Sequence, residues 1–285
     1  MEVNLTEVIR RFSTPMKVCG VETHDKYFLE GVIEGVPLEL SVLPGLHRES
    51  FEKASSQLRD YFKSNIDHSE LYPSVRFAIE SWQFKKSLAS QEPKWNQPVE
   101  LNALLLSPSL KDLERARVMG RSCFKLKIAR GESANDIIEL LKHLSPSEKI
   151  RFDGNRLLTE NALENLLEAI TPYWSHIDYI EEPFAHFRDH LNWRHPVALA
   201  VDESLPLLLK HTGPCGLSRA VLKPALFGFD ESVRIIDNLC KRGVVVTLSS
   251  SFEGPIGMAA NFALASYQNS IQPNPAGLDT LSFFN

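Results

Sequence analysis

Five charged residues recur along this chain, each at or near the end of a short apolar run. Lys127 lies near the end of FKLKI, Asp153 ends IRFD, Glu181 sits in YIEEP, Asp202 in ALAVDES and Lys223 in AVLKP. They stand 26, 28, 21 and 21 residues apart, about the length that a strand, a helix and two loops consume. A charge at the end of a buried strand is costly unless it is paired, bound to metal or put to use. Five in register predict one active site on the C-terminal rim of a (β/α) barrel, where enzymes of that fold place their chemistry.

From Val99 onward the runs VELNALLL, CFKLKI, KIRFD, IDYIEEP, VALAVDES, RAVLKP and VVVTLSSS read as parallel strands covered on both faces. Helices are predicted between them over 135–144, 159–173, 230–242 and 255–267. Gly243 suits the residue just past the third of these, and Pro255 the first turn of the fourth. The segment after Pro206 shows little periodicity. Residues 1–95 follow no such rhythm. Strand-like pieces such as KYFLEGVIEGVPLELSVL come first, then helical stretches over 51–62, with Ser50 as N-cap, and 74–88. Strands before helices predict an α+β capping domain over 1–95 and a barrel catalytic domain over 96–285. The polar stretch SQEPKWNQP, residues 90–98, is the expected linker.

The charge balance narrows the partners. A net charge of −5 over 285 residues argues against nucleic acid or an anionic membrane and leaves a small molecule. Cys19, Cys123, Cys215 and Cys240 are scattered with no CxxC, which reads as reduced thiols in a cytoplasmic protein. Neither a signal peptide nor a membrane span is expected, since no apolar run approaches the roughly 18 residues that a span needs.

Side chains alternate along a strand, so Lys125 and Lys127 face the same way, with Lys125 one layer below the mouth. An exposed edge strand with solvated lysines is the plainer reading of that pair. Inside a barrel, each ammonium disfavours the other's charge, and a lysine tuned toward neutrality serves as a general base. Asp153, Glu181 and Asp202 come from three successive strands, and three converging carboxylates repel without a cation. An all-oxygen set suits Mg²⁺, or Mn²⁺ in its place. Any one of them could instead cap a helix, Asp202 in DES most readily, but caps do not account for all three. Glu182 and Glu203 stand beside two of them, and strand parity alone does not choose between neighbours. Asn155 shares the parity of Asp153 and could support it. Lys223 lies across the barrel from Lys127, where an ordinary salt bridge is the competing reading. Ser249, Ser250 and Ser251 precede Gly254 and a helix start, whose backbone N–H groups suit a carboxylate or phosphate. A polar turn explains the serines equally well.

The series KLK, DGN, EEP, DES and LKP, followed by SSSFEGPIG and PAGLDT, resembles the enolase superfamily and, within it, the muconate-lactonising subgroup. The likeness runs motif by motif from about residue 123 to 280. Earlier, LPGLHRES resembles the LPG stretch of the family's capping domain, and PSVRFAIES the segment that enters its barrel. The resemblance implies a modified (β/α)7β TIM-type barrel under an N-terminal α+β cap. It implies Mg²⁺ held by Asp153, Glu181 and Asp202, selecting Glu181 over Glu182, with Lys127 as base and Lys223 opposite. The implied reaction is a Mg²⁺-dependent dehydration of a small carboxylate. Racemisation or epimerisation, with both lysines as bases, is the alternative, and a barrel that binds a carboxylate without turnover is a third. Two features depart from the family pattern. The chain is short, and LELSV replaces the usual acidic residue just before LPG, leaving Glu39 to fill that place.

Overall fold

The computed structural model describes residues 4–63, 66–128, 133–213 and 216–285. The chain opens with an antiparallel meander of β1 (Leu5–Val18), β2 (Val21–Ile33) and β3 (Val36–Ser41). Its two hairpins turn on Cys19–Gly20 and Glu34–Gly35, all four residues at positive φ. That is the two-residue turn whose twist matches paired strands. Helices α1 (Phe51–Lys63) and α2 (Pro73–Lys86) cover one face of this sheet through Leu29, Leu38, Leu40, Leu58, Val75 and Ile79. Pro73 occupies the first turn of α2, where its missing N–H costs nothing.

The remaining elements alternate: β4 (Asn102–Leu105), α3 (Leu110–Val118), β5 (Cys123–Lys127), α4 (Ala134–Lys142), β6 (Lys149–Asp153), α5 (Glu160–Ala169), β7 (Ile177–Glu181), α6 (Phe187–Asn192), β8 (Leu199–Val201), α7 (Leu205–Lys210), β9 (Arg219–Leu222), α8 (Phe229–Lys241), β10 (Val245–Leu248) and α9 (Pro255–Ile271). The seven strands form one parallel sheet in chain order. A short piece of chain joins its two edges. Ala276 bridges to Leu101 beside β4, and Gly277 bridges to Ser249 beyond β10. The amide of Asn102 donates to Ala276 and that of Gly277 to Leu248. The sheet therefore curls into a TIM-type barrel.

Alternation along the strands divides the barrel into two environments. Phe124, Leu126, Ile150, Phe152, Ile180 and Val246, with their counterparts on other strands, point outward into the main core beneath the helices. The interior is smaller in apolar content: Tyr179, Ala200 and Val221 form a separate cluster. Arg151 fills the lower interior with no exposed surface. Its guanidinium donates to Asp178, Asn102, Asn274 and the Pro275 carbonyl at 2.8–3.0 Å. It also lies 4.8 Å from the Tyr179 ring centre. A buried guanidinium survives only when its donors are satisfied in this way.

Several sequence expectations need correction. The helix expected over 159–173 ends at Ala169, because Pro172 starts a separate 3₁₀ turn, Thr171–His176. The aperiodic stretch after Pro206 contains α7. Residues 90–98 do not hang free. Trp95 stacks on Tyr267 of α9 at 4.6 Å and packs against Phe84 at 4.7 Å, so an aromatic staple fastens this stretch to the barrel.

Candidate active site at the barrel mouth

The register of the parallel sheet sets Lys127 beside Asp153, and Asp153 beside Glu181. All are strand-end residues with inward parity. One layer down, Lys125 reaches up between two of them. Its ammonium lies 2.9 Å from Asp153 and 2.7 Å from Glu181. Across the mouth, Lys223 pairs with Asp202. Asp153 and Glu181 are almost wholly buried.

The electrostatics follow from this crowding. Burial works against the charge of Lys125, but Asp153, Glu181 and Asp202 outweigh it and hold the ammonium well above its usual range. Lys223 is raised in the same sense, with Asp202 and Glu181 overcoming its burial. Burial likewise opposes ionisation of Asp153, yet Lys125, Lys127 and Lys223 together hold its carboxyl below the usual value. Three lysines thus act on one carboxylate. Glu181 goes the other way, pushed up to about 8 by burial and by Asp153 and Asp202, with Lys125 opposing. Of the three carboxylates, Glu181 is the one whose charge the neighbouring ammonium groups offset least, an environment that a divalent cation relieves.

Glu182 has a different task. It turns away at φ +38° and is fully buried. Its carboxylate accepts from the amide of Asp202 at 2.7 Å, and from the amide and hydroxyl of Ser204 at 3.2 and 2.5 Å. It therefore fixes the DES turn that carries Asp202. Glu203, beside Asp202, is pushed up to about 7 by burial and by Asp202. Asn155 sits at φ +45°, its amide donating to Asp153 at 3.1 Å, so it braces that carboxylate through the backbone.

The serine run does not offer the free amides expected of it. The Ser249 amide donates to Leu222, that of Ser250 to Gly277, and that of Ser251 to Glu253 at 2.9 Å. The helix start is taken as well: Gly254 and Ile256 donate to Glu39 of β3 at 2.8 and 3.2 Å. The protein's own carboxylate fills the place expected for a ligand's. Only hydroxyls remain. Ser250 pairs with Thr280 at 2.7 Å, the Ser251 hydroxyl is buried without a partner among the described residues, and Ser249 ends the inward-facing row of β10.

Among the described residues, no three His, Cys, Asp or Glu side chains stand together as a metal cage. Asp153 and Glu181 face the ammonium of Lys125, and Asp202 that of Lys223. As a donor set they still fit Mg²⁺, being three carboxylates from successive strand ends that offer only oxygen.

No family model matches the chain. Among curated proteins, it is 29% identical over 256 residues to o-succinylbenzoate synthase of Citrobacter koseri, covering 86% of this chain and 78% of that one. It is 28% identical over 258 residues to the enzyme of the same name from Salmonella paratyphi B, covering 85% and 78%. The chain resembles proteins of the enolase superfamily in sequence and in fold. Solved structures agree on its fold. The o-succinylbenzoate synthase of Thermosynechococcus elongatus BP-1, complexed with Mg in its active site, superposes with a TM-score of 0.78 at 19% identity, over 100% of this chain and 94% of that one. The dipeptide epimerase of Methylococcus capsulatus, complexed with Mg and a dipeptide, gives 0.80 at 14% identity, over 99% and 91%.

Other residues near the mouth escaped sequence reasoning. The charges of Glu203, Lys223, Asp202 and Arg156 all bear on the exposed Cys19 thiol, so the first cap hairpin reaches over the opening. Within LPGLHRES, His47 accepts from the Leu43 amide at 3.1 Å. The late GLDT motif closes the barrel: Gly277 bridges to Ser249, Asp279 pairs with Arg121 at 3.0 Å, and Thr280 meets Ser250. A polar cavity of about 320 Å³ lies at the opposite end, among strand starts such as Lys149, Asp178 and Arg219. It contains none of the five charged residues that define the mouth.

Proposed function

We propose that this protein is an o-succinylbenzoate synthase, dehydrating 2-succinyl-6-hydroxy-2,4-cyclohexadiene-1-carboxylate to 2-succinylbenzoate in menaquinone biosynthesis. The observation that carries this reading is the meeting of Lys125, Asp153, Glu181, Asp202 and Lys223 in one mouth, in a chain whose curated relatives bear that name. Asp153, Glu181 and Asp202 would hold Mg²⁺, turning from their lysines to do so, and Mn²⁺ would substitute. The bound ion would offset the negative charge that builds on the substrate carboxylate when the adjacent C–H bond is broken.

Lys127, neutral, takes that proton, and the electron pair left on carbon expels the hydroxyl two bonds away. The same ammonium returns its proton to the departing oxygen, so water leaves from the face on which the base stands. Lys125 stays charged below the carboxylates and keeps their combined charge tolerable. Lys223 stays charged on the far side and faces the ring as a cation. Aromatisation makes the elimination downhill. No helix among the described residues is long and apolar enough to cross a membrane, and we place the reaction in the cytoplasm with a small-molecule carboxylate as its partner.

Racemisation of N-acylamino acids or epimerisation of dipeptides is the second reading. It is favoured by the likeness to the Methylococcus epimerase and by lysines from opposite sides of one mouth. A substrate panel separates the two. Dehydration followed by ultraviolet absorbance should proceed at an enzymatic rate, while polarimetry on N-acylamino acids and dipeptides shows little or no turnover. The reverse pattern would assign the protein to the epimerase reading.

A further inference from the structure

Lys26 of β2 has no exposed surface and, among the described residues, no carboxylate within ion-pair distance. A buried ammonium is expensive, and burial lowers its pKa to about 8, with the charges of Glu253 and Glu39 opposing. Its donors go instead to the backbone, to the carbonyls of Ser251 at 2.5 Å and Phe252 at 2.7 Å. Both belong to the loop that follows β10. Phe252 sits there at φ +60°, a conformation that L residues rarely hold unless the surroundings impose it. One strand over, the buried carboxylate of Glu39 accepts from Gly254 and Ile256, at the far end of the same loop. A Cβ placed on Gly254 would stand 2.6 Å from Glu39 Oε2 and 3.0 Å from the guanidinium of Arg10. The cap sheet thus grips this loop at its middle and at its far end with opposite charges, each matched to the backbone group of opposite polarity. Nothing in the chemistry proposed above uses either residue.

We infer that Lys26 and Glu39 are positioning residues, a clamp from the cap that sets the conformation of the 249–254 loop and so presents Ser249 and its neighbours to the substrate. The inference rests on the reading that this loop contacts substrate at the mouth. It makes docking of the cap and ordering of the substrate loop a single event.

The test uses four variants of the full chain. Lys26→Met removes one grip. Gly254→Ala displaces the Glu39 carboxylate without touching either charged residue, because Gly254 has an ordinary φ of −74° and the clash is with a side-chain end. Glu39→Gln keeps an oxygen acceptor, and Glu39→Leu does not. Hydrogen exchange measured by mass spectrometry should show amides in 249–256 exchanging about tenfold faster or more in Lys26→Met, Gly254→Ala and Glu39→Leu, as loss of a buried charged hydrogen bond implies. Glu39→Gln should restore most of the protection. With the cyclohexadiene substrate, KM should rise about tenfold while kcat changes less than about threefold, the signature of lost binding without lost chemistry. Exchange rates in 249–256 that stay at the wild-type level overturn the clamp. So does loosening spread evenly over the cap core, or local loosening with KM unchanged. If the wild type turns over none of this substrate, the functional reading fails. The exchange result then decides the clamp by itself: local loosening rescued by glutamine supports it, and no loosening overturns it.

Discussion

At the scale of single residues, the mouth divides labour among groups of like type. In the proposed reaction Lys125 neutralises, Lys127 moves the proton, and Lys223 faces it from across the barrel. Lys127→Ala should abolish both dehydration and exchange of the substrate α-proton with D₂O, a loss of at least ~10²–10⁴-fold for a general base. Lys223→Ala should leave one-sided exchange measurable by NMR if only Lys127 handles the proton. Below the mouth, Arg151→Met should leave Asp178 with only its longer 3.5 Å contact to Arg219. Breaking a buried pair from one side costs about 3 kcal/mol, readable as a lower urea midpoint. His47 gives a pH dependence. Burial, with the nearby charge of Lys26 adding, depresses the pKa of His47 from 6.5 to about 4, although Glu49 opposes. The unfolded chain therefore takes up this proton first, so stability should fall as pH drops from about 6.5 toward about 4. His47→Asn, which keeps an acceptor for the Leu43 amide, should flatten that fall in urea titrations at pH 7 and 5. Strand parity alone placed Lys125 and Lys127 on one face. It did not show that Lys125 would span two carboxylates, because that depends on how far a flexible side chain reaches into its neighbours' charge.

At the scale of elements, what could be read from the sequence tracked length and amphipathicity. Helices α8 and α9, of 13 and 17 residues, carry several turns of periodic pattern. Helices α6 and α7 have six residues each, fewer than two turns, and leave almost no period to read. The α5 boundary was misplaced because the pattern continues through the 3₁₀ turn while Pro172 breaks the hydrogen-bond ladder. Capping chemistry was more legible. Gly243 follows α8 at φ +75°, and a Cβ added there would meet nothing within 4 Å. Gly243→Ala should therefore cost about 1 kcal/mol through backbone strain alone and leave kcat unchanged; a larger loss of thermal stability would mean the site is more crowded than it stands. The stretch at 90–98 shows the limit of composition: polar residues and prolines predict a linker, while one tryptophan anchors it.

At the scale of the whole molecule, the rhythm of strand-end charges was enough to foresee a barrel with one mouth. Two features were out of reach. The strand that closes the barrel rests on isolated bridges at Ala276 and Gly277, too short to leave an alternating pattern. The occupant of the α9 start is Glu39, 215 residues earlier in the chain, and contacts of that separation leave no local signature. Both join the cap, the last strand and the chain end into one structure, which Phe12 completes by stacking on Phe284 at 4.8 Å. The proposed reading requires a divalent cation among Asp153, Glu181 and Asp202. Asp202→Asn should weaken Mg²⁺ binding in calorimetry while leaving circular dichroism unchanged, since crowded carboxylates do not stabilise the metal-free protein. The most direct measurement is the rate at which the wild type converts 2-succinyl-6-hydroxy-2,4-cyclohexadiene-1-carboxylate to 2-succinylbenzoate, metal-stripped and then with Mg²⁺ restored. Conversion that vanishes on stripping and returns with Mg²⁺ is the expected result; full conversion in verified metal-free protein, or none in folded protein saturated with Mg²⁺, would contradict it.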